Sequence, residues 1–180
     1  MDRFGPGTAT CEVFTFREGV LAAVGHDLKL RAERFEIEAG SHSVSARFDA
    51  NSLRVVAAMR GGREDPLVLS ERDRQQIETS CAEQVLEARR FPLIIFTSNE
   101  RVPEPGVGAE MRAGSVKGTL ALHGHELIGE LAIRREGDRA VVEAEIDVRR
   151  FGIRPYTAML GALRVSPLVR VVVTTPWPDV

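Results

Sequence analysis

Most of this chain alternates between apolar and polar residues with a period of two, and that pattern limits the folds it can adopt. The alternation is clearest from Phe35 to Ala39, from Val44 to Ala50 and from Val142 to Val148. Such alternation is typical of strands that bury one face. Apolar residues at this spacing do not share one face of a helix, so a mainly β fold is predicted.

Further strands are predicted along the rest of the chain. Alternation also runs through Val20 to Leu30, Leu53 to Met59 and Leu120 to Leu122. Two nearly continuous apolar stretches, Leu93 to Phe96 and Leu168 to Thr174, are predicted to be buried on both faces. Together the segments predict eight or more strands.

One segment, residues 70–90, breaks the alternation and predicts a single inserted helix. Ser70 and Asp73 have the spacing of an S-x-x-D capping box at its start. An apolar stripe then follows at helical spacing: Ile77, Cys81, Val85 and Ala88. Pro92 is expected to end the helix soon after Arg90.

The length of the chain fits one domain covering residues 1–180. A domain of 180 residues and 19.8 kDa can bury a full hydrophobic core. Successive strands with short turns predict an antiparallel sandwich or barrel. Residues 60–66 and 102–115 are interpreted as loops within that domain. A barrel of about eight strands can either fill its interior with side chains or hold one small ligand.

Composition excludes several function classes. The net charge is −2, from 24 basic and 26 acidic residues, so nothing favours binding to nucleic acid. Two cysteines, Cys11 and Cys81, are too few for a disulfide scaffold or a multi-cysteine zinc site. Aromatic residues make up only 6% of the chain, whereas small aliphatic residues are abundant. Walls of small aliphatic side chains would leave room inside a barrel.

The sequence shows no secretory signal and no apolar run long enough to span a membrane. We therefore expect a cytoplasmic protein without a membrane span. A periplasmic location would follow instead if a signal had been removed.

His26 is the most informative polar residue, because its parity places it on the apolar face with Val24, Leu28 and Leu30. One interpretation is a core histidine that is hydrogen-bonded to backbone or water. The other is a single polar group that orients a ligand in an apolar cavity. A catalytic role would need a partner, and the adjacent Asp27 points to the opposite face of a strand.

No other residue predicts a catalytic or metal site. The sequence His123-Gly124-His125 is interpreted as a solvated hairpin turn, since two imidazoles do not complete a zinc site. His42 is expected on the surface. Cys11 and Cys81 are expected to be small core residues. No catalytic residue, metal ligand or cofactor is therefore predicted.

Several short motifs follow one another in order along the chain. They are Gly25-His26-Asp27-Leu28 with an H-x-L element, the strand from Ala46 to Leu53, a P-x-I-x-F-x-S strand from Pro92 to Ser98, a G-x-L-x-L-x-G element from Gly118 to Gly124, and Phe151-Gly152-Ile153. Their order and spacing resemble the YceI-like family.

This resemblance implies a lipocalin-like antiparallel β-barrel of about eight strands with one inserted α-helix near residues 70–90. It also implies that a long apolar molecule, such as a polyisoprenoid or an isoprenoid quinone, binds along the interior. We expect the cavity that holds the ligand to be lined by inward-facing residues: Val24, His26, Leu28, Phe48, Leu53, Phe96, Leu120 and Ile146. His26 would anchor a polar end or hold a wall strand.

The leading prediction is non-catalytic binding, transport or sequestration of a long-chain isoprenoid-like lipid. Two alternatives stay open on the sequence. One is an enzyme that acts on a small hydrophobic substrate with His26 as general acid–base. The other is a structural or interaction barrel that is filled by its own side chains. A homodimer is left open as well.

Overall fold

The fold is built almost entirely from antiparallel strands. A computed structural model describes residues 1–19, 25–40, 43–102, 112–158 and 162–177. The strands are, in chain order, β1 (Asp2–Phe4), β2 (Thr10–Thr15), β3 (Arg17–Glu18), β4 (Asp27–Ala32), β5 (Phe35–Ala39), β6 (Val44–Asp49), β7 (Leu53–Arg60), β8 (Arg63–Asp65), β9 (Leu93–Val102), β10 (Arg112–Leu122), β11 (His125–Glu136), β12 (Arg139–Asp147), β13 (Thr157–Ala158), β14 (Leu163–Val165) and β15 (Leu168–Pro176).

Twelve of these strands form one sheet in the order β1-β5-β6-β9-β10-β11-β12-β15-β2-β4-β7-β8, and a small second sheet has the order β13-β14-β3. The mainly β, antiparallel architecture with one helix is confirmed. The number of strands exceeds eight for two reasons. Bends and bulges divide long alternating segments into separate strands, and strands of two or three residues are too short to show an alternating pattern.

The sheet curls because β4–β5 and β6–β7 form one bent hairpin, whose two halves lie near opposite edges of the sheet. Strands β5 and β6 are second and third in the sheet, whereas β4 and β7 are tenth and eleventh. In a flat sheet β4 and β5 would lie about 38 Å apart, at about 4.8 Å per strand. Yet only Glu33 and Arg34 connect them, and Ala50–Ser52 connect β6 to β7. Links this short reach about 3.3–3.6 Å per residue, so the two edges must meet.

The helix α1 (Glu71–Ser80) begins where the sequence predicts. Ser70 Oγ accepts a hydrogen bond from the Asp73 amide at 3.2 Å, and Asp73 Oδ2 accepts one from the Ser70 amide at 3.0 Å. These two bonds form the expected capping box.

The helix ends earlier than the predicted Arg90. A π-helical turn, Cys81–Val85, follows α1, and Glu87 then adopts a left-handed φ of 45°. The amide of Leu86 bonds to the carbonyl of Cys81 at 2.9 Å, so the last turn is wider than an α-helical one. This widening turns the chain and buries Ala88.

Apolar clusters pack at opposite ends of the barrel. At one end Phe4, Ile37 and Ala46 pack together, beside a second cluster around Val116 and Ile133. At the other end a third cluster forms from three buried residues and their half-buried neighbours: Leu122, Phe151 and Ile153, with Val85, Leu86 and Ile94.

The prediction that two stretches are buried on both faces is wrong at their first residues. Leu93 is 50% exposed and Leu168 is 38% exposed. Both strands belong to the curled sheet, whose outer face meets solvent. Ile94 and Val169, one residue further on, line the interior instead.

The predicted loop over residues 102–115 is shorter in the structure. Val102 ends β9, β10 begins at Arg112, and Ser115 pairs with Val102. Residues 103–111 lie outside the described residues, as do Val20 to Val24 and His42.

A cross-strand pair of glycines bends the sheet between β10 and β11. Gly118 lies opposite Gly129, and the pairing of β10 with β9 shifts register between Lys117 and Thr119. A Cβ atom on Gly118 would lie 2.5 Å from the Thr97 carbonyl oxygen, which is backbone and cannot yield easily. A Cβ atom on Gly129 would meet nothing within 4 Å. The two glycines therefore have different tolerance for a side chain.

We predict that Gly118→Ala lowers the free energy of unfolding by about 1–3 kcal/mol, because overpacking displaces the strand of Thr97. Gly129→Ala is the matched control and should change it by less than about 1 kcal/mol. Urea denaturation followed by circular dichroism measures both. Equal losses for the two variants would contradict the assigned clash.

Candidate functional site

The barrel encloses a cavity of about 1040 Å³. Packed protein interiors leave few voids larger than a water molecule. Pockets for small ligands span about 300–1,000 Å³. A cavity of this size does not fit a barrel whose interior is filled by its own side chains.

The sheet forms the main wall of the cavity through its inward-facing residues. On β15 the odd-numbered valines line the cavity: Val169, Val171 and Val173. On β10 and β12 the same alternation holds for Val116, Leu120 and Leu122, and for Val142, Ala144 and Ile146. Because successive residues of a strand point to opposite faces, the period-two pattern delivers one continuous aliphatic surface.

The helix forms a second wall and covers one end of the barrel. Ile77, Cys81 and Val85 from its apolar stripe line the cavity. At its start, Arg74 donates a hydrogen bond to the Val56 carbonyl at 2.9 Å. At its end, Val85 packs into the cluster around Leu122 and Phe151. The stripe that predicted a core-facing helix thus faces a void.

Polar side chains border the cavity near this covered end, and we call them the polar rim: Arg17, His26, Asp73, Gln76, Arg150, Tyr156 and Arg164. Strand register explains the grouping on the sheet side. Thr15 at the end of β2 pairs with Leu28 near the start of β4, so Arg17 and His26 lie at the same end. Val165 of β14 pairs with Arg17, which brings Arg164 to the same place.

His26 lies just before β4, half-buried, with its neighbours Leu28 and Leu30 on the cavity wall. Arg17 holds this segment in place, since its guanidinium donates to the Gly25 carbonyl and its amide donates to Asp27 Oδ1 at 2.9 Å. Asp27 is therefore paired with Arg17. Within the described ranges no hydrogen bond or ion pair joins the His26 imidazole to another residue.

The predicted ligand-lining residues come together in one place. Those that border the cavity are His26, Leu28, Phe48, Leu53, Phe96, Leu120 and Ile146. Val24 lies outside the described residues. Contact between these side chains and a ligand stays a prediction.

The hairpin at His123 is correctly predicted as a turn but not as a solvated one. His123 and Gly124 have φ values of 51° and 76° between β10 and β11, which suits a tight primed turn. The His123 ring is buried against Phe91, with ring centroids 4.3 Å apart. Its Nε2 lies 3.2 Å from Glu87 Oε1, so the turn anchors the chain that follows the helix. Among described residues, no three His, Cys, Asp or Glu side chains are placed to hold a metal ion.

Both cysteines border the cavity. Burial, with a smaller contribution from the Glu12 carboxylate, raises the pKa of the Cys11 thiol to about 12. Burial and the Glu78 carboxylate raise the pKa of Cys81 to about 11. Both thiols are therefore protonated at neutral pH, which makes them weak nucleophiles.

Sequence reasoning missed part of the cavity wall. The valines of β15 belong to a nearly continuous apolar run. Such a run does not alternate, so it does not show which side chains face inward. Tyr156 and Arg164 come from short segments without a repeating pattern. The helical stripe was visible, but nothing in it indicated a cavity rather than a packed core.

No helix among the described residues is long and apolar enough to cross a membrane.

Comparison with known proteins gives likenesses in structure but not in sequence. No family model matches the chain, and no curated protein matches it. A polyisoprenoid binding domain from Saccharophagus degradans superposes with a TM-score of 0.59 and 15% identity, covering 98% of this chain and 97% of that one.

Two further solved structures are similar. BcnA of Burkholderia cenocepacia has a TM-score of 0.54 and 11% identity, over 93% of this chain and 96% of its own. A YCEI protein of Campylobacter jejuni has a TM-score of 0.50 and 12% identity, over 84% and 86%. At such low identities the shared property is the fold. The chain therefore has the fold of the YceI-like proteins.

Proposed function

We propose that this chain is a YceI-like binding protein that holds a long apolar ligand, a polyisoprenoid or an isoprenoid quinone, for transport or sequestration. The observation that carries the proposal is the aliphatic cavity of about 1040 Å³. The Saccharophagus degradans domain of the same fold is described as polyisoprenoid binding, which agrees with it.

The physical basis is the burial of a hydrocarbon chain. Each CH₂ group that leaves water for an apolar wall contributes about 0.8 kcal/mol. Ten such groups would contribute about 8 kcal/mol before the entropic cost of binding. The wall is made mostly of Val, Leu, Ile and Ala, which contact a chain by dispersion without demanding one orientation. A flexible chain therefore suits this cavity better than a rigid polar substrate.

The groups around the cavity support binding rather than catalysis. General acid–base chemistry on His26 would need a second titratable group within hydrogen-bond reach of the imidazole. In the parts of the chain that the structure describes, the imidazole has no such hydrogen-bonded partner. The two thiols on the wall are protonated at neutral pH, so neither is an activated nucleophile.

The first test is native mass spectrometry of the purified protein, followed by solvent extraction. Retained lipid would support the proposal. An apo mass, an empty extract and no uptake of added solanesol, an alcohol of nine isoprene units, would contradict it.

We predict that Val171→Trp weakens solanesol binding about tenfold or more, because the indole fills space that the chain would occupy. Val172→Trp is the matched control, since Val172 is the next residue on β15 and does not line the cavity. Quenching of the introduced tryptophan and isothermal titration measure binding. Equal affinities for the two variants would contradict a ligand inside the barrel.

Cys81 offers a native reporter of occupancy. In the Cys11→Ser variant at about pH 8, we predict that iodoacetamide modifies folded Cys81 about a hundredfold more slowly than the unfolded chain. The reason is that the pKa of Cys81 is raised from 9.0 to about 11, which lowers the thiolate fraction at that pH. The rate should rise with pH, and bound solanesol should slow it further by covering the sulfur. Mass spectrometry follows the alkylation, and a rate unaffected by solanesol would contradict the proposed location.

His26 is predicted to contact the polar end of a ligand. His26→Ala should weaken binding of geranylgeraniol about fivefold, since one net hydrogen bond is worth about 1 kcal/mol. Binding of squalene, which has no polar group, should be unchanged. Arg31→Ala is the control, because Arg31 lies on β4 with an exposed side chain and does not border the cavity. Equal effects of His26→Ala on both ligands would show that His26 only supports the cavity wall and does not bond to the polar end of a ligand.

A further inference from the structure

The ladder between β11 and β12 stops long before the strands do. Pairs run from Glu136–Arg139 to Ile133–Val142, and no further pair forms between these described strands. Yet β11 starts at His125 and β12 continues to Asp147. The remaining parts of both strands are paired only on their other sides, with β10 and β15. We call the space between residues 125–132 and residues 143–147 the slot.

The slot connects the cavity with the outer surface of the barrel. Inward-facing residues at its edges, such as Leu131 and Ala144, line the cavity. The outward-facing Ile128, Glu130 and Glu145 border the same cavity. Residues that alternate along a strand point to opposite faces. A cavity bordered by both faces of the same two strands must therefore pass between them.

Glycine at two facing positions helps to keep the slot open. The Gly118–Gly129 pair and the register shift beside Gly118 bend β10 and β11 together. Gly129 contributes no side chain, and a Cβ atom there would meet nothing within 4 Å. At the paired end, Arg134 and Glu143 join the strands through an ion pair of 3.3 Å.

The chemistry of the slot suits the apolar end of a ligand. Its edges carry Leu127, Ile128 and Leu131, and the side chain of Ile128 is 73% exposed. The charged residues beside it, Glu130 and Glu145, are both acidic and would repel an anionic head group. The basic and hydrogen-bonding groups lie instead on the polar rim. A ligand with one polar end and one hydrocarbon end would bind with its head at the rim and its tail at the slot. Because Arg150 of the rim follows Asp147 at the end of the slot, such a chain would fold back within the cavity.

We propose that the slot is an opening of the cavity, through which the end of a long hydrocarbon chain leaves the barrel. This inference rests on the proposed function. Its consequence is that the cavity volume does not limit chain length. Chains longer than the cavity bind at least as tightly as chains that fit inside it.

A plug in the slot tests the proposal. Gly129→Phe places a ring at the inner mouth of the slot, because Gly129 faces the cavity beside it. Gly7→Phe is the control outside the cavity, and Val173→Phe is the control that narrows the cavity away from the slot. The probes are farnesol, with three isoprene units, and solanesol, with nine. Isothermal titration measures affinity, and thermal unfolding shows that each variant is folded.

We expect Gly129→Phe to lose about tenfold or more in affinity for solanesol and less than about threefold for farnesol. Gly7→Phe should match the wild type with both, and Val173→Phe should weaken binding of farnesol and of solanesol to a similar extent. Ala144→Phe places a ring at the inner mouth of the slot from β12 and should show the same selective loss, so the test does not depend on one variant folding.

Three outcomes would overturn the slot. A wild type that binds farnesol but not solanesol would show that the chain must fit inside, while the proposed function would stand. Equal binding of solanesol by the plugged variants and the wild type would show that the chain takes another path. A wild type that binds neither alcohol would remove both the slot and the proposed function.

Discussion

The return of the chain from one edge of its sheet to the other is the constraint on which the rest of the structure depends. Two short links, Glu33–Arg34 and Ala50–Ser52, make that return. They are held to each other by backbone hydrogen bonds of 3.0 Å, from Glu33 to Ser52 and from Asp49 to Arg34. Ser52 is fully buried there and donates its hydroxyl to the Asp49 carbonyl at 2.8 Å. Without this joint the sheet would not curl round an interior, since no strand pairing joins its edge strands β1 and β8.

The curled sheet surrounds a void, and a void has a cost that a packed core does not have. Side chains that face a cavity lose the dispersion contacts they would make in a filled interior. The barrel compensates with its backbone ladders and with clusters at both ends, where Phe4, Ile37 and Phe151 are buried. A ligand that fills the void restores the lost contacts, and binding to the folded state alone then stabilises it. The cavity that lowers the stability of the empty barrel is thus also the proposed binding site.

Much of the cavity wall could be predicted because strand parity is a local property. Phe48, Leu120 and Ile146 lie on the same face as their apolar neighbours two residues away, whatever the sheet does elsewhere. The start of the helix was predictable for a similar reason, since Ser70 and Asp73 cap it through bonds three residues apart.

Features that depend on distant contacts could not be predicted. His123 lies in a turn that the sequence shows, yet its burial depends on Phe91 and Glu87, more than thirty residues earlier. The early end of the helix likewise follows from the wide turn at Cys81 and the packing of Ala88. Leu93 belongs to an apolar run, but the outward side of the curled sheet leaves it exposed.

The sequence alone determined that this is an antiparallel β protein with one capped helix and an aliphatic inner face. Hydrogen-bonding propensity and side-chain alternation act over a few residues, and a sequence displays them directly. Only the tertiary structure decided that the inner face encloses about 1040 Å³ of space and opens between β11 and β12. Cavity volume and strand separation depend on where each strand pairs with a strand that is distant in sequence. Gly118 and Gly129 contribute to that geometry because neither has a side chain.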